Sequence, residues 1–246
     1  MLEVGKTLIV LVVPCFNEEL RWNAVYWRHI SQIPNLQLIF VNDGSSDQTH
    51  ICLQEIIIGT SNAVLHLENN VGKAEAIRLG LREAIKSRPA IVGFIDADGA
   101  FSEMDVVKHL ELQKSFSINE PFSIWSSRIK MAGRNIERKA FRHYIARLLL
   151  TFLSIYFRFS IYDTQSGLKT FVATKEFYGI LDEKFKTRWF VDLEILFRYR
   201  IKYKCDLRVR EEPLEEWKDI ENSKLNWFQV LYIVKDLCGL LSYKRL

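Results

Sequence analysis

Two carboxylates stand one residue apart directly after an apolar run. Asp96-Ala97-Asp98 follows the apolar residues 90–95 and is followed at once by Gly99. Carboxylates at the mouth of a buried strand are costly unless a positive partner meets them. A divalent cation that bridges to a diphosphate is the usual partner for such hard oxygen ligands. The pair therefore predicts a metal site; the alternative is a turn in which Asp98 only caps a helix starting near Glu103.

Elements that could position these carboxylates are visible in the first hundred residues. Runs rich in Val, Ile and Leu lie at 8–13, 36–41, 63–67 and 91–95, and helical patterns separate them at 18–30, 47–57 and 72–87. This alternation is typical of βαβ units and a parallel sheet. Continuous apolar runs suit strands that are covered on both faces. We therefore predict an α/β fold with a Rossmann-like, mainly parallel sheet flanked by helices.

Three of these four runs end in polar segments that could do chemistry. The segments are 14–18 (PCFNE), 42–47 (NDGSSD) and 96–98 (DAD). In open α/β sheets the ligand lies outside the carboxyl ends of the strands, so the three segments are expected to form one site. Asp47 is expected to cap the next helix, whereas Asp43 could accept hydrogen bonds from a nucleobase. Gly72-Lys73 at a helix start would favour an anion.

The second half of the chain has a different character. We predict a helix over 137–157, a strand over 168–172, a helix over 191–200, strands over 207–209 and 212–216, and a closing amphipathic helix over 225–241. There is no internal repeat or clear linker in the sequence. We therefore assign one domain to residues 1–224 and a C-terminal amphipathic helix to 225–246. This helix either packs on the core or lies at a membrane interface.

The net charge of +4 is small, but the basic residues are concentrated. Seven of them fall between positions 128 and 147, against one acid, Glu137: they are Arg128, Lys130, Arg134, Arg138, Lys139, Arg142 and Arg147. Such a cluster suggests phosphates or an anionic membrane surface, and the alternative is a solvated helix face. No uncharged stretch approaches the roughly 20 apolar residues of a spanning helix. The four widely spaced cysteines favour reduced thiols in a cytosolic compartment.

Together these motifs resemble family 2 glycosyltransferases of GT-A fold. The resemblance rests on 13–18 (VPCFNE), 41–47 (VNDGSSD), 70–74 (NVGKA) and 96–98 (DAD). Three downstream segments, 163–169 (DTQSGLK), 188–194 (RWFVDLE) and 217–225 (WKDIENSKL), are similar to the dolichyl-phosphate β-glucosyltransferase branch and to other polyprenyl-phosphate glycosyltransferases.

The resemblance implies roles for individual residues. Pro14, Glu18 and Asp43 would hold the base and ribose of a nucleotide sugar. Asp96 and Asp98 would hold Mg²⁺ or Mn²⁺ and the sugar diphosphate, with Lys73 nearby. Arg128 and the basic helix start would meet an acceptor phosphate. Uracil as the base, and UDP-glucose as the favoured donor, follow only from the resemblance.

The reaction that we expect is inverting transfer of a hexose to a polyprenyl or dolichyl monophosphate. A phosphomonoester is largely dianionic at neutral pH because its second pKa is about 6, so positioning matters more than a general base. Arg128, Arg138 and Arg142 could position it through bidentate, charge-assisted hydrogen bonds. Arg138 and Arg142 are four residues apart and share a helix face. Their alternative role is contact with lipid headgroups or with solvent.

Transfer to a hydroxyl of a glycan or glycolipid is the main rival. A hydroxyl needs a carboxylate to take its proton, and Asp192 or Glu194 could serve; their alternative role is an ion pair with Arg188 or Arg198. A non-catalytic nucleotide-sugar-binding module is a rival of another class. Nucleic acid is not an expected partner, because the aromatic residues near the basic stretches sit in apolar helical patterns. The expected partners are a nucleotide sugar, a lipid phosphate and a membrane surface, and the expected location is the cytosolic face of a membrane.

Overall fold

The computed structural model describes residues 7–116, 119–137, 151–218, 235–241 and 243. The strands are β1 (Ile9–Cys15), β2 (Leu36–Asp43), β3 (Ala63–Leu67), β4 (Ile91–Ile95), β5 (Phe122–Ser127), β6 (Asn135–Glu137), β7 (Leu168–Val172), β8 (Arg208–Pro213) and β9 (Glu216–Lys218). The helices are α1 (Ala24–Ser31), α2 (Thr49–Ile57), α3 (Lys73–Ala84), α4 (Glu103–Lys114), α5 (151–157), α6 (Lys175–Gly179), α7 (Val191–Tyr203) and α8 (235–241).

Seven strands form one mainly parallel sheet in the order β3-β2-β1-β4-β7-β5-β8. Only β7 runs antiparallel to its neighbours, β4 and β5. A separate parallel pair joins β6 to β9. The expectation of a Rossmann-like α/β fold is confirmed, and the four strands of the first hundred residues lie where the apolar runs predict them, with β1 and β2 each extending two residues further.

The apolar strands are buried on both faces because helices cover each side of the sheet. Leu11 and Val13 of β1 belong to one core cluster, which α1, α2 and α4 complete, whereas Val10 and Val12 belong to a second cluster with α3, α6 and α7. Successive side chains of a strand point to opposite faces. A continuous apolar run is therefore what a three-layer α/β/α arrangement requires.

The predicted element bounds fail at three places. Instead of one helix over 18–30 there is a short 3₁₀ turn at Glu19–Arg21 and then α1, because Asn23 starts a new helix by accepting a hydrogen bond from Tyr26 N at 3.0 Å. Glu137 ends β6 and does not start a helix; of the helix predicted over 137–157, residues 151–157 are helical and 138–150 lie outside the described residues. The strand predicted over 212–216 is divided between the end of β8 and the start of β9.

The C-terminal helix is described only from residue 235 onwards. In α8, Asp236 and Leu240 are buried, and Leu240 packs in an apolar cluster with Leu193 and Phe197 of α7. This part of the helix therefore packs on the core, while 225–234 lies outside the described residues. Within the described part of the chain, no helix has the length and apolar character needed to cross a membrane.

Candidate functional site

Most of the predicted site residues that the structure describes lie at one edge of the sheet. The carboxyl ends of β1, β2 and β4 meet there because these strands are parallel. Since β7 is antiparallel to β4, the loop that precedes β7 reaches the same edge, where Ile95 pairs with Leu168. The carboxyl end of β5, followed by Arg128, also lies at this edge because β5 is antiparallel to β7. The fold thus brings segments 14–18, 43–47, 96–98, 128 and 163–167 to one side of the molecule.

Asp96 is held between a lysine and a glycine. Its Oδ1 lies 2.6 Å from Lys73 Nζ, and its backbone N–H donates to Gly167 O at 3.1 Å. A Cβ on Gly167 would lie only 2.2 Å from Cγ of Asp96, so residue 167 has to be glycine for the carboxylate to occupy this position. The first residue of α3 therefore supplies a cation to the first carboxylate of the pair.

Asp98 does not cap the following helix. Its Oδ1 accepts a hydrogen bond from Ala100 N at 3.2 Å, and the cap of α4 is Ser102, whose side chain accepts from Asp105 N. Burial is the main cause that raises the pKa of Asp98, and the charge of Asp96 adds to it. A carboxylate that is desolvated beside a second carboxylate favours a cation between them. The capping alternative is thus wrong.

Glu18 approaches the same pair from the end of β1. It is 7% exposed; its Oε1 accepts from Arg21 at 2.7 Å, whereas Oε2 is buried without a hydrogen-bond partner. Burial, followed by the charges of Asp98 and Asp96, raises the pKa of Glu18 to about 7 despite the opposing effect of Arg21. Three carboxylates therefore share a partly desolvated region, and Pro14 lies four residues before Glu18 within β1.

Asp43, at the end of β2, holds the loop that leads to Lys73. Its Oδ1 accepts from Val71 N at 2.7 Å, and its Oδ2 accepts from Gly72 N at 2.9 Å and from the side chain of Asn70 at 3.0 Å. Gly72, the N-cap of α3, has a φ of +95°, which favours glycine. The Asp43 carboxylate thus accepts hydrogen bonds from the loop 70–72. This loop in turn places Lys73 beside Asp96.

Asp47 does not occupy the N-cap position of α2 that the sequence predicts for it. The N-cap position of α2 is Gln48. Asp47 nevertheless accepts from Thr49 N at 3.0 Å and from Thr49 Oγ1 at 2.6 Å, and through its other oxygen from Glu19 N at 3.2 Å. These bonds lower the pKa of Asp47 although burial opposes them. The residue ties the segment after β1 to the segment after β2.

Arg128 is fixed at the end of β5 by an acid and a tryptophan. Its Nε and Nη2 donate to Asp163 at 2.8 Å each, and its guanidinium lies 5.2 Å from the ring centroid of Trp217. Asp163 N in turn donates to Glu211 Oε1 at 2.8 Å. These contacts hold the guanidinium in one orientation. Arg138 and Arg142, the other predicted acceptor residues, lie outside the described residues.

Asp192 is buried in an ion pair that the sequence analysis did not predict. Its Oδ2 lies 2.5 Å from Nζ of Lys169, which also donates to Thr164 O and lies 4.5 Å from the centroid of the Trp125 ring. Both side chains are almost completely buried. Burial lowers the pKa of Lys169, and the charge of Asp192 opposes this effect. The pair joins β7 to the start of α7.

Glu194 has both oxygens occupied. Oε2 accepts from Thr187 N and Oγ1 at 2.8 Å each, and Oε1 accepts from Lys186 N, from Arg198 and from the hydroxyl of Tyr243. Its side chain is fully buried. The ion pair with Arg198 that the sequence left open is therefore present. Glu194 anchors the segment before α7 and also Tyr243, near the end of the sequence.

For several residues of the site the sequence does not predict the partner, although Lys169 is expected to be a structural or acceptor-side support. Asp163, Gly167 and Lys169 all belong to the segment 163–169, whose composition stood out in the sequence, but their partners come from 35, 71 and 23 residues away. The sequence gives no indication that Glu211 belongs to the site, because an acid does not stand out in a strand with several charged residues. Only the tertiary fold shows that these residues support Arg128 and Asp96.

The carboxylate pair fits a particular kind of cation site. Among the described residues, no group of three or more His, Cys, Asp or Glu side chains is arranged to hold a metal ion. Mg²⁺ is usually bound by one or two carboxylates together with substrate phosphates and water, not by a cage of protein ligands. Asp98 and Asp96, with hard oxygen donors and a raised pKa at Asp98, suit an ion of that kind.

Known proteins resemble this chain in sequence and in fold. The model of glycosyl transferase family 2 matches residues 10–161. An uncharacterized protein of Methanocaldococcus jannaschii is 25% identical over 87% of this chain and 83% of its own length. The UDP-N-acetylglucosamine–dolichyl-phosphate N-acetylglucosaminyltransferase of Methanococcus voltae is 26% identical over 75% of this chain and 76% of its own.

A solved structure extends the likeness over nearly the whole chain. Glucosyl-3-phosphoglycerate synthase from Mycobacterium tuberculosis, in complex with UDP, superposes with a TM-score of 0.66 at 19% identity, covering 96% of this chain and 80% of the synthase. The likeness shows that the fold is that of GT-A glycosyltransferases. Since the family model covers more than half of the chain, this enzyme belongs to glycosyl transferase family 2.

Proposed function

We propose that this enzyme transfers a hexose from UDP-glucose or a closely related UDP-sugar to a polyprenyl or dolichyl monophosphate, with inversion at the anomeric carbon. Membership of the family supports a nucleotide-sugar donor. The Methanococcus voltae relative supports a dolichyl phosphate acceptor, and it also makes UDP-N-acetylglucosamine the first competing donor to test. The enzyme is proposed to act at the cytosolic face of a membrane without crossing it.

The observation that carries the choice of acceptor is the state of the two carboxylates on α7. Asp192 is buried in an ion pair with Lys169, and both carboxylate oxygens of Glu194 accept hydrogen bonds. A hydroxyl acceptor would need one of them as a general base in contact with the acceptor. A phosphate dianion needs no such base, because at neutral pH it is already a nucleophile. Because protein groups engage both of these carboxylates, we favour the phosphate acceptor.

On the donor side, we assign different residues at this edge of the sheet to different parts of the nucleotide sugar. We assign the base and ribose to Pro14, Glu18 and Asp43, and the diphosphate to Lys73 and the start of α3. Asp96 and Asp98 would hold Mg²⁺ or Mn²⁺, which supplies Lewis-acid stabilisation of the departing diphosphate. Because Asp43 bonds the loop 70–72 in this structure, its contact with a uracil would require that loop to shift or to share the carboxylate.

On the acceptor side, a phosphate oxygen attacks the anomeric carbon. The new bond joins that oxygen to the carbon while the bond from the carbon to the β-phosphate breaks, and UDP leaves with the bonding electrons. No proton has to be removed from the acceptor. Arg128 would orient the phosphate; because Asp163 already balances its charge, we assign further positive charge to Arg138 and Arg142. Bidentate arginine contacts fit phosphate oxygens in geometry as well as charge.

The test is nucleotide release from a panel of UDP- and GDP-sugars. Each donor is incubated with Mn²⁺ or Mg²⁺, with and without undecaprenyl or dolichyl phosphate, using the wild type and Asp98→Ala. We expect UDP release that needs both the metal and the lipid phosphate and that falls at least ~1,000-fold in Asp98→Ala, as expected when a main electrostatic contact to the transition state is lost. Lys114→Ala, a change at the last residue of α4 that removes a salt bridge to Glu111, is the control and should keep wild-type activity.

Two outcomes would contradict the proposal. Metal-dependent binding of a donor without turnover on any lipid phosphate would redirect the search to hydroxyl acceptors. In that case, a loss of several orders of magnitude in Asp192→Asn with donor affinity intact would identify Asp192 as a base. Turnover without a metal would instead remove Asp96 and Asp98 from the proposed diphosphate site.

A further inference from the structure

A cavity of about 530 Å³ lies at the carboxyl end of α7, away from the carboxylate pair. Asp192 is at the start of this helix, whereas Ile201 and Lys204 line the cavity at its other end. At 1.5 Å per residue, twelve residues separate the two ends by roughly 18 Å. Among the described residues to which the proposed reaction assigns a role, none lines this cavity.

The wall of the cavity is apolar and the rim is basic. Aromatic and aliphatic side chains form the wall: Tyr156, Phe157, Phe197, Ile201 and Tyr243. The other lining residues are Arg158, Arg200 and Lys204. Within the described chain, no acid lines the cavity. A concave apolar surface with a few convergent polar groups is the usual form of a small-molecule site, and the charges here select an anion.

The two exposed cations occupy unusual backbone positions. Arg158 follows the last residue of α5 with a φ of 54°, and Lys204 follows the last residue of α7 with a φ of 55°. Helices commonly end in this conformation, but the residue is usually glycine or asparagine. Two separate helices thus place a long basic side chain, where glycine would be easier to accommodate, at the rim of one cavity. Strain retained at a site is a reason to look for a function there.

Arg200 has a different role from these two. Its Nη1 donates to Phe157 O at 2.5 Å and its Nε to Asp206 at 2.5 Å. It caps the end of α5 and joins this end to α7. The charge that a ligand would meet at the rim therefore comes mainly from Arg158 and Lys204.

An apolar surface continues from the cavity along α5. Phe152 and Ile155 are 60% and 74% exposed, and Phe152 stacks on Tyr156, which lines the cavity, with 6.0 Å between ring centroids. A molecule whose apolar chain enters the cavity while its anionic head stays at the rim would use both surfaces. Exposed apolar patches of this kind mark protein or membrane contact sites, and the adjacent cations favour anionic lipids.

We propose that the cavity at the carboxyl ends of α5 and α7 binds an anionic membrane phospholipid, with its apolar chain against Phe157, Phe197 and Ile201 and its headgroup phosphate at Arg158 and Lys204. This site extends the proposed membrane attachment, but it shares no lining residue with the described part of the donor and acceptor sites. Its test uses no sugar donor, so it can fail while the proposed reaction stands, and the reverse.

The experiment measures co-sedimentation of the purified full chain with vesicles. One set contains phosphatidylcholine alone and the other contains about a third phosphatidylglycerol. The double variant Arg158→Gly/Lys204→Gly removes both rim charges at positions whose φ suits glycine, so it should fold. Ile201→Trp fills the cavity without changing charge. Arg88→Gly is the matched control, because Arg88 is also an exposed cation with a positive φ, 51°, but does not line the cavity.

We expect the wild type and Arg88→Gly to bind the anionic vesicles equally well. The double variant should bind them roughly 25-fold more weakly, since each of the two basic residues near an anionic surface contributes about fivefold. Ile201→Trp should also weaken binding while its thermal unfolding stays close to that of the wild type. Binding of both variants at the wild-type level would overturn the proposal and leave the basic segment 128–147 as the membrane contact.

A second arm separates the phospholipid from the acceptor lipid. Phosphatidylcholine vesicles with ~1% polyprenyl phosphate replace the phosphatidylglycerol vesicles. If the cavity variants lose binding only to the polyprenyl phosphate, the cavity belongs to the acceptor and the phospholipid assignment is wrong. If they lose binding only to phosphatidylglycerol vesicles, the assignment holds.

Discussion

Glu18 is a carboxyl group whose ionisation opposes folding. Its environment combines burial with the nearby charges of Asp98 and Asp96, and only Arg21 compensates. Because the pKa is raised from its ordinary value of 4.5 to about 7, the folded protein binds this proton more tightly than the unfolded chain does. The free energy of unfolding should therefore fall as the pH rises between about 4.5 and about 7, and stay low above that range.

This gives a prediction for the protein without metal or nucleotide. Between pH 5 and pH 8, the free energy of unfolding of the wild type should fall by about 2 kcal/mol more than that of Glu18→Gln, since one pKa unit corresponds to about 1.4 kcal/mol. Urea unfolding in the presence of EDTA at the two pH values measures the difference. Glu55→Gln, which removes an exposed carboxylate of α2, should behave like the wild type.

An equal pH dependence in wild type and Glu18→Gln would mean that Glu18 is ionised without cost, and so that the three carboxylates do not share a desolvated region. A cation that binds near Asp98 should remove much of the difference, because it stabilises the ionised form of Glu18. Adding Mn²⁺ to the same titration tests whether Glu18 and the carboxylate pair belong to one site.

At the scale of elements, the Lys169–Asp192 pair joins β7 to α7. Through Thr164 O it also holds the loop 163–167, which supports Asp96 through Gly167 and Arg128 through Asp163. A buried pair adds little to stability compared with a well-packed apolar pair, but loss of one partner leaves an uncompensated charge. We infer that the main role of the pair is to fix the position of the loop 163–167 relative to α7.

A double-mutant cycle tests this role. Lys169→Met and Asp192→Leu should each destabilise the protein by about 3–5 kcal/mol, whereas the double variant should be substantially more stable than either. Chemical unfolding of the four proteins gives the coupling energy. If Asp192→Leu alone is as stable as the wild type, the pair contributes nothing to the loop, and a role of Asp192 in contact with substrate becomes the better explanation.

The sequence predicts elements where one physical signal is strong. The strands at 63–67, 91–95 and 168–172 lie where the sequence places them, because short runs rich in apolar residues are typical of strands in a covered sheet. The strand β5 was missed because its sequence, FSIWSS, contains three serines; they are buried, and Ser123 and Ser126 donate to backbone carbonyls of β7. Such hydrogen bonds depend on a neighbour more than 40 residues away.

Part of the candidate site could likewise be predicted from the sequence. The segments after β1, β2 and β4 could be grouped because parallel strands bring their carboxyl ends together. The pairing of Lys73 with Asp96 and of Lys169 with Asp192 could not be derived, because a lysine at a helix start or in a strand has many acids within reach. The partner is chosen by the antiparallel position of β7 and by the packing of α7, which no local pattern encodes.

At the scale of the whole molecule, the C-terminal helix is connected to the donor side of the site. Asp236 of α8 accepts from Arg188 N and Trp189 N at 2.8 Å each. Arg188 O accepts from Ala74 N in the first turn of α3 at 3.1 Å, and its guanidinium donates to the side chain of Asn70. A continuous set of contacts thus runs from α8 to the loop that positions Lys73 beside Asp96.

This connection predicts a distant effect on nucleotide binding. Asp236→Ala leaves two backbone N–H groups without their acceptor and should lower the free energy of unfolding by about 2 kcal/mol. It should also weaken UDP binding in the presence of Mn²⁺ by roughly tenfold, in the range found for coupling between distant sites. Isothermal titration calorimetry with UDP measures the affinity. Asp236→Asn keeps an acceptor oxygen and should lie between Asp236→Ala and the wild type.

Leu240→Ala separates this coupling from general loss of stability. Leu240 is fully buried on the same helix, so its truncation should destabilise the protein by about 2–5 kcal/mol, but it makes no hydrogen bond to Arg188. If Leu240→Ala weakens UDP binding as much as Asp236→Ala does, the effect follows from destabilisation of α8 as a whole. If Asp236→Ala unfolds more easily yet binds UDP like the wild type, the segment 186–190 does not transmit the position of α8 to Lys73, and the two ends of the molecule act independently.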